Sequence, residues 1–270
     1  MNLVDVHCHL TFPQFREDLD SVIRRAKDAG VNLIICSGVG PKSNREVLAL
    51  SKKYSHIIKP SFGIYPVDAV ASMLPESEKK DDVPRDLEVF DYRDELTWIT
   101  QNKDDCIAIG EVGLDYMMVK DEVARAKQRE IFEEIIDVAK ELGKPLVIHS
   151  RKGEGDVLDI LESKNFKKAD LHCFTANKKL IKRGVQLGLF FSVPAVITRL
   201  EHFKMLVELV PLTQLLTETD APYLSPEAGG RSEPAHIAST IKIISKIKGL
   251  SENEVAAQVW KNTQELFGVK

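Results

Sequence analysis

Eight short apolar runs, each followed by a stretch of helical character, constrain what this chain can fold into more than any other feature. The runs are Leu3 to Val6, Val31 to Cys36, Ile57 to Phe62, Cys106 to Ile109, Pro145 to Ile148, Ala169 to Leu171, Leu189 to Val193 and Gln214 to Leu216. Runs this short and this uniformly apolar read as strands buried on both faces, which is the signature of a parallel sheet. The intervening stripes are helical: Leu19, Val22, Ile23 and Ala26 recur at helical spacing before Gly30, and Gln128, Phe132, Ile135, Ile136, Ala139 and Leu142 do so before Gly143. The first of these stripes belongs to a helix expected over Phe15 to Ala29, and further helices are expected over Ser43 to Tyr54, Leu87 past Trp98, Glu233 to Lys248 and Glu252 to Phe267. Right-handed crossovers repeated eight times close a sheet into an α/β, (β/α)8 TIM barrel, with an open doubly wound sheet as the fallback. A length of 270 residues, 43% of them hydrophobic, suits one such domain spanning 1–270.

In such barrels chemistry gathers at the C-terminal ends of the strands. Side chains two apart on a strand share a face, so Asp5, His7 and His9 lie together at the end of the first strand, with Cys8 turned to the core. A His-x-His pair is weak evidence for a metal by itself, because polar residues in loops are common. The later strands change that. Glu111 ends the fourth, His149 the fifth, His172 the sixth and Asp220 the eighth, so four of the seven histidines fall at one end of the expected barrel. Six such ligands exceed what one tetrahedral ion takes and suit two divalent ions sharing a carboxylate. In strand order Glu111 lies between the two groups, which makes it the expected bridge. His7, His9 and Asp220 would hold one ion, His149 and His172 the other. Asp5, deeper on its strand, is expected to orient an imidazole rather than to touch metal. His56, His202 and His236 lie away from the strand ends and are read as ordinary polar residues.

Composition narrows the partners. A formal charge of −4 and a pI near 6.0 give no global basic field for nucleic acid. Two divalent ions against two carboxylates nonetheless leave the pocket locally positive and attractive to an oxyanion. Cys8, Cys36, Cys106 and Cys173 are widely spaced, each expected inside a strand as a buried free thiol. The first strand begins next to Met1, leaving no room for a signal peptide, and no apolar run approaches the ~20 residues of a membrane span. A cytoplasmic protein without a membrane association is the expectation. The charged stretch from Pro75 to Arg85 is expected to be an exposed loop.

With these motifs in hand, the chain resembles the TatD family of metal-dependent deoxyribonucleases, within the amidohydrolase-like barrels. The matching stretches are Asp5 to Leu10, Gly110 to Tyr116, Val147 to Arg151, Leu171 to Thr175, Glu218 to Leu224 and Arg231 to Pro234, in the family's order along nearly the whole chain. The resemblance implies a (β/α)8 barrel, a divalent metal centre that allows Mg2+ as the working ion, and hydrolysis of DNA phosphodiesters, often as a 3′ to 5′ exonuclease acting on single strands or 3′ ends. On ligand type alone the four imidazoles favour Zn2+, Mn2+ or Fe2+. One position departs: where many members carry Gly-x-His-Pro, this chain has Gly63-Ile64-Tyr65-Pro66. Tyr65 can donate a hydrogen bond to substrate but, with an ordinary pKa near ~10, is a poorer acid at neutral pH than histidine.

The mechanism these residues suggest is attack on phosphorus by a water whose pKa the ions lower toward ~7, with Glu111 and Asp220 as the catalytic carboxylates. Asp220 is the candidate base, with pure ligation as its alternative role. Arg151, two residues past His149, is expected to reach the same mouth and take a phosphate in bidentate fashion. Arg231 and Glu233 are expected either to serve the site or to form a structural pair at the rim. Lys178, Lys179, Lys182 and Arg183 read as a solvated helix face, and Tyr65, Tyr116 and Tyr223 as candidates for stacking on a base or for packing. The rival activity is an amidohydrolase or esterase, such as an aminoacyl-tRNA deacylase. Two-metal enzymes of that kind commonly bridge their ions with a modified lysine where this chain has Glu111. A metal-dependent nucleic-acid binder without turnover is the non-enzymatic rival.

Overall fold

A computed structural model describes residues 1–75 and 87–269. Eight parallel strands follow one another in a single sheet, in the order of the sequence: β1 (Leu3–Cys8), β2 (Val31–Ser37), β3 (Ile58–Phe62), β4 (Ala108–Asp115), β5 (Leu146–Arg151), β6 (Ala169–His172), β7 (Phe190–Pro194) and β8 (Leu215–Glu218). β8 returns to β1: Thr217 Oγ1 donates to the Val4 carbonyl at 2.6 Å, and the Asp220 N–H donates to the His7 carbonyl at 3.0 Å. The sheet therefore nearly closes into a TIM barrel, and the open-sheet alternative falls away. Strand residues such as Val6, Ile34, Val112 and Phe191 are fully buried, as expected for a parallel sheet wrapped in helices.

The helices agree with the sequence periodicity except at their starts. The first follows a single 3-10 turn at Pro13–Phe15 and runs Leu19–Asp28, because the apolar stripe begins only at Leu19. The one expected from Leu87 starts at Tyr92, where the Asp91 side chain accepts from the Arg93 N–H and caps it. The longest runs Glu122–Leu142, capped at the start by Asp121 and ended by Gly143 at φ 66°. The last two are Ile237–Lys248 and Glu252–Phe267. Of the expected loop from Pro75 to Arg85, only Pro75 lies within the described residues, where it is exposed. Among the described residues no helix is long and apolar enough to cross a membrane.

β4 and β5 run furthest beyond their apolar cores. β4 continues through Glu111 to Asp115 and β5 through His149 to Arg151, so the polar motifs are strand, not loop. Glycine makes this possible. A Cβ on Gly63 would sit 2.3 Å from the Glu111 nitrogen, and one on Gly113, at φ 139°, would sit 2.0 Å from the His149 carbonyl oxygen. The barrel wall can thus pinch around Glu111 without opening.

Candidate metal centre

All six expected ligands converge at the C-terminal mouth, around a cavity of about 400 Å³. Glu111, nearly buried, lies in the middle, and its two oxygens point opposite ways. Oε2 lies 3.2 Å from His9 Nε2 and 3.7 Å from His7 Nε2, whereas Oε1 lies 2.8 Å from His149 Nδ1 and 3.1 Å from His172 Nε2. Asp220 closes the first side, with Oδ1 3.6 Å from His7 Nε2 and 3.5 Å from His9 Nε2. Three triplets have donor atoms within 4.8 Å of one another: His7, His9 and Glu111; His7, His172 and Asp220; Glu111, His149 and His172.

Three imidazoles are held by a hydrogen bond at the other nitrogen, and His172 has a carboxylate near that nitrogen, an arrangement that decides which nitrogen carries a lone pair toward the centre. His9 Nδ1–H donates to the Ser37 carbonyl at 3.1 Å, and His7 Nδ1 pairs with the Ser37 hydroxyl at 3.1 Å. His149 Nε2–H donates to Asp115 Oδ2 at 2.9 Å, which frees Nδ1. His172 Nδ1 lies 3.5 Å from Glu218 Oε2, which leaves Nε2 facing Glu111. Donor nitrogens turned inward onto carboxylate oxygens are what a divalent cation requires. His7 Nε2 adds a specific sign: it is buried and makes no hydrogen bond within the protein, a cost that a metal bond would remove. The His, Glu and Asp set fits divalent metal binding.

Electrostatics agree. Burial opposes charge on His9, but hydrogen bonds to Asp220 and Glu111 outweigh it and hold the imidazole up at about 10. Burial likewise opposes charge on His149, and Asp115 with Glu111 raises it to about 9. His172 is pushed well above the usual range against its burial by the fields of Glu218 and Glu111. Burial works against the Glu111 carboxylate too, yet His172 and His149 hold it well below the ordinary range. His7 goes the other way, lowered by burial and by the charge of His172. The cluster thus keeps its carboxylates ionised and draws cations: protons in one state, metal in another.

Several residues differ from their expected roles. Asp5 touches no imidazole. Its carboxylate accepts from the His7 backbone at 3.3 Å and from the Thr219 N–H and hydroxyl at 3.0 and 2.5 Å, so it fixes the chain beside Asp220. Arg231 forks onto Asp18 at 2.7 and 2.8 Å and Glu233 holds Arg25 at 2.5 Å; the two come within 3.9 Å of each other, a structural network away from the cavity. Cys106 precedes β4, which starts only at Ala108, and Cys173 follows β6, which ends at His172, and lines the cavity. Cys8 and Cys36 are buried in strands, and all four thiols are free. Arg151 and Tyr65 line the cavity as expected, Arg151 exposed and Tyr65 donating to Asp115 Oδ2 at 3.2 Å. His202 pairs with the Phe174 carbonyl at 3.2 Å, His236 Nδ1 with the Glu233 N–H at 3.3 Å, and His56 is exposed. Arg183 pairs with Asp159 at 2.6 Å on the outer helix face.

Asp115, Glu218, Ser37 and Phe12 carry parts of the site for which the sequence reading assigned no role. Asp115 and Glu218 were within reach of it: each shares strand parity with a ligand, Glu111 or Asp220, and alternation puts them on the same face. Ser37 and Phe12 act through contacts between strands, which no local pattern records.

The model of TatD-related DNases matches residues 4–268. The chain is 34% identical over 269 residues to the human deoxyribonuclease TATDN3, covering 99% of this chain and 95% of that protein. It is 35% identical over 266 residues to an uncharacterised metal-dependent hydrolase of Methanocaldococcus jannaschii, covering 98% and 96%. The crystal structure of a TatD homologue from Escherichia coli K12 superposes with a TM-score of 0.82 at 26% identity, over 99% of this chain and 98% of that one.

Proposed function

The chain belongs to the TatD-related DNase family and is a metal-dependent hydrolase of ester bonds, and on that premise we propose that it removes nucleotides from the 3′ end of DNA with two divalent ions. The observation that carries the reading is the split of Glu111, one oxygen toward His7 and His9, the other toward His149 and His172. A carboxylate so placed could serve two divalent ions, as shared carboxylates do in two-metal phosphoryl-transfer sites. His7, His9 and Asp220 would hold one ion and His149 and His172 the other, with Glu111 shared between them.

When bound, the ions supply Lewis acidity, bringing the pKa of water toward ~7 and offsetting the negative charge that builds on phosphorus. The remaining work falls to side chains. Ser37 and Asp115 hold His9 and His149 in the tautomers that face inward, Glu218 places a negative charge beside His172, and Asp5 pins the Thr219–Asp220 backbone. Asp220, with a side chain 15% exposed to the cavity, is placed to accept a proton from an attacking water. Arg151 lines the mouth where phosphoryl oxygens would lie and offers a planar fork, whereas the Tyr65 hydroxyl beside it gives its one proton to Asp115 and can donate to a phosphoryl oxygen only by releasing that carboxylate. The acidic chain needs no global basic surface, because the charge that attracts DNA is local to this mouth.

The test is digestion of 3′- and 5′-end-labelled oligonucleotides, single- and double-stranded, across Mg2+, Mn2+ and Zn2+ with an EDTA control. Stepwise shortening from the 3′ end that EDTA abolishes is the expected result. No cleavage with any ion would sink the nuclease reading, and shortening from the 5′ end would sink its direction.

A further inference from the structure

The mouth above the metal centre has two chemically distinct walls. On one stands Arg151 at the end of β5, exposed and without an ion pair among the described residues. On the other, after β1 and β8, stand Phe12 and Tyr223; β1 lies four strands from β5 around the barrel, so this wall faces Arg151 across the cavity. Phe12 is 7% exposed and lies flat on the His9 imidazole, with ring centroids 4.7 Å apart and planes 14° apart. The Phe12 and Tyr223 rings meet edge to face, with centroids 6.1 Å apart and planes at 69°. Tyr223 is half-buried and lines the cavity, and its backbone N–H donates to the Asp220 carbonyl at 2.8 Å. A tight turn therefore pins an aromatic ring beside the carboxylate of the centre.

The three tyrosines that flank the ligand motifs separate in the structure. The Tyr116 hydroxyl donates to Asp156 at 2.7 Å, outside the cavity lining. The Tyr65 hydroxyl is turned to Asp115. Tyr223 belongs to the aromatic wall.

We propose that Tyr223, backed by Phe12, is a stacking subsite for one unpaired nucleobase, that of the nucleoside whose phosphate lies between the metal centre and Arg151. The inference rests on the phosphodiesterase reading and adds what the site recognises beyond phosphate. Aromatic faces bind any base through its π-face, giving affinity without sequence preference. Phe12, stacked on His9 and packed against Tyr223, stiffens the wall, and Tyr223 is the ring of the two that reaches further out of the core along the cavity. A cavity of about 400 Å³ is near the small end of ligand pockets and suits one nucleotide rather than a base pair. A terminal base must leave its partner to enter, which favours single-stranded or frayed ends.

The test compares two diesters with the same leaving group, thymidine 5′-p-nitrophenyl phosphate and methyl p-nitrophenyl phosphate, on metal-loaded enzyme. Wild type should favour the nucleoside by at least about 10-fold in kcat/KM, the scale of one base–aromatic stack. Tyr223→Ala and Tyr223→Leu should each lower that ratio by about 10-fold, while Tyr223→Phe and Tyr223→Trp keep it. An unchanged ratio in both Tyr223→Ala and Tyr223→Leu overturns the subsite, as does a Tyr223→Phe ratio as low as that of Tyr223→Ala. Wild type that cleaves both diesters without preference overturns the subsite alone. Wild type that cleaves neither overturns the phosphodiesterase reading and the subsite with it.

Discussion

The two flanks of Glu111 are built differently. On the β1 and β8 flank, His7 and His9 lean on neutral groups, the hydroxyl and carbonyl of Ser37, and the negative charge is Asp220 itself, in the centre. On the β5 and β6 flank, among the described residues, the strands' own negative charge stands one step back: Asp115 behind His149, Glu218 behind His172. An anion behind an imidazole raises its basicity, whereas an anion in the centre takes its share of the ion directly. One flank offers a carboxylate ligand with neutral supports, the other two imidazoles sharpened by buried carboxylates. Two ions held this way would differ in how they depend on the surrounding residues, and substitutions would separate them.

The largest effect should come from the residue the flanks share. Glu111→Ala removes both inward oxygens at once, and we expect at least about a 1000-fold loss of kcat with loss of tightly held metal. Full activity with two bound ions per chain, measured by elemental analysis, would sink the bridge.

Next come substitutions that touch one flank. Asp115→Asn keeps the shape and an acceptor for His149 Nε2–H but removes the anion, and should weaken one of two metal-binding steps by about 10- to 100-fold. Asp220→Asn should weaken the other step. Calorimetric titration of both variants distinguishes the steps; the same step weakened in both would erase the asymmetry.

This asymmetry also marks how much could be read from the sequence. Strands ending in His7, His9, Glu111, His149, His172 and Asp220 were legible because strand period and barrel topology together fix which end and which face a residue occupies. Asp115 shares the parity of Glu111 yet went unassigned, since alternation places a side chain on a face without saying which neighbour it meets. That depends on register: Gly113 pairs with His149 and Asp115 with Arg151 across β4 and β5, a relation set by irregular pairing after Ile109. Asp5 was misjudged for the same reason, its partner being Thr219 from the far end of the chain.

The pH dependence separates the flanks more gently. Without metal, His149 and His9 hold their protons up to about 9 and about 10, both above the ~6.5 of an unfolded histidine. Their contribution to the stability of the metal-free protein is therefore fully present below pH ~6.5 and is lost as pH rises through about 9 and then about 10. An entering ion must displace those protons, so metal affinity should rise by about 10-fold per pH unit for each proton displaced. Scanning calorimetry with EDTA and with metal, from pH 7 to 10, should give a metal-induced rise in Tm that widens with pH. A gap that narrows would mean that the imidazoles do not exchange protons for metal.

The smallest effect tests whether the β5 flank extends to substrate. Arg151 stands in register with Asp115 on the neighbouring strand, and its charge helps to keep that carboxylate ionised without forming an ion pair. The guanidinium is left facing the mouth, where its fork matches two phosphoryl oxygens. Arg151→Ala should raise KM for an oligonucleotide by about 10-fold, the scale of a charge-assisted hydrogen bond, while metal content stays at the wild-type value. Arg151→Lys keeps the charge and loses the fork, so it should recover part of that loss. If KM does not move, Arg151 is a surface residue. If metal content falls instead, its role runs through Asp115, and the contrast between the flanks ends at the imidazoles.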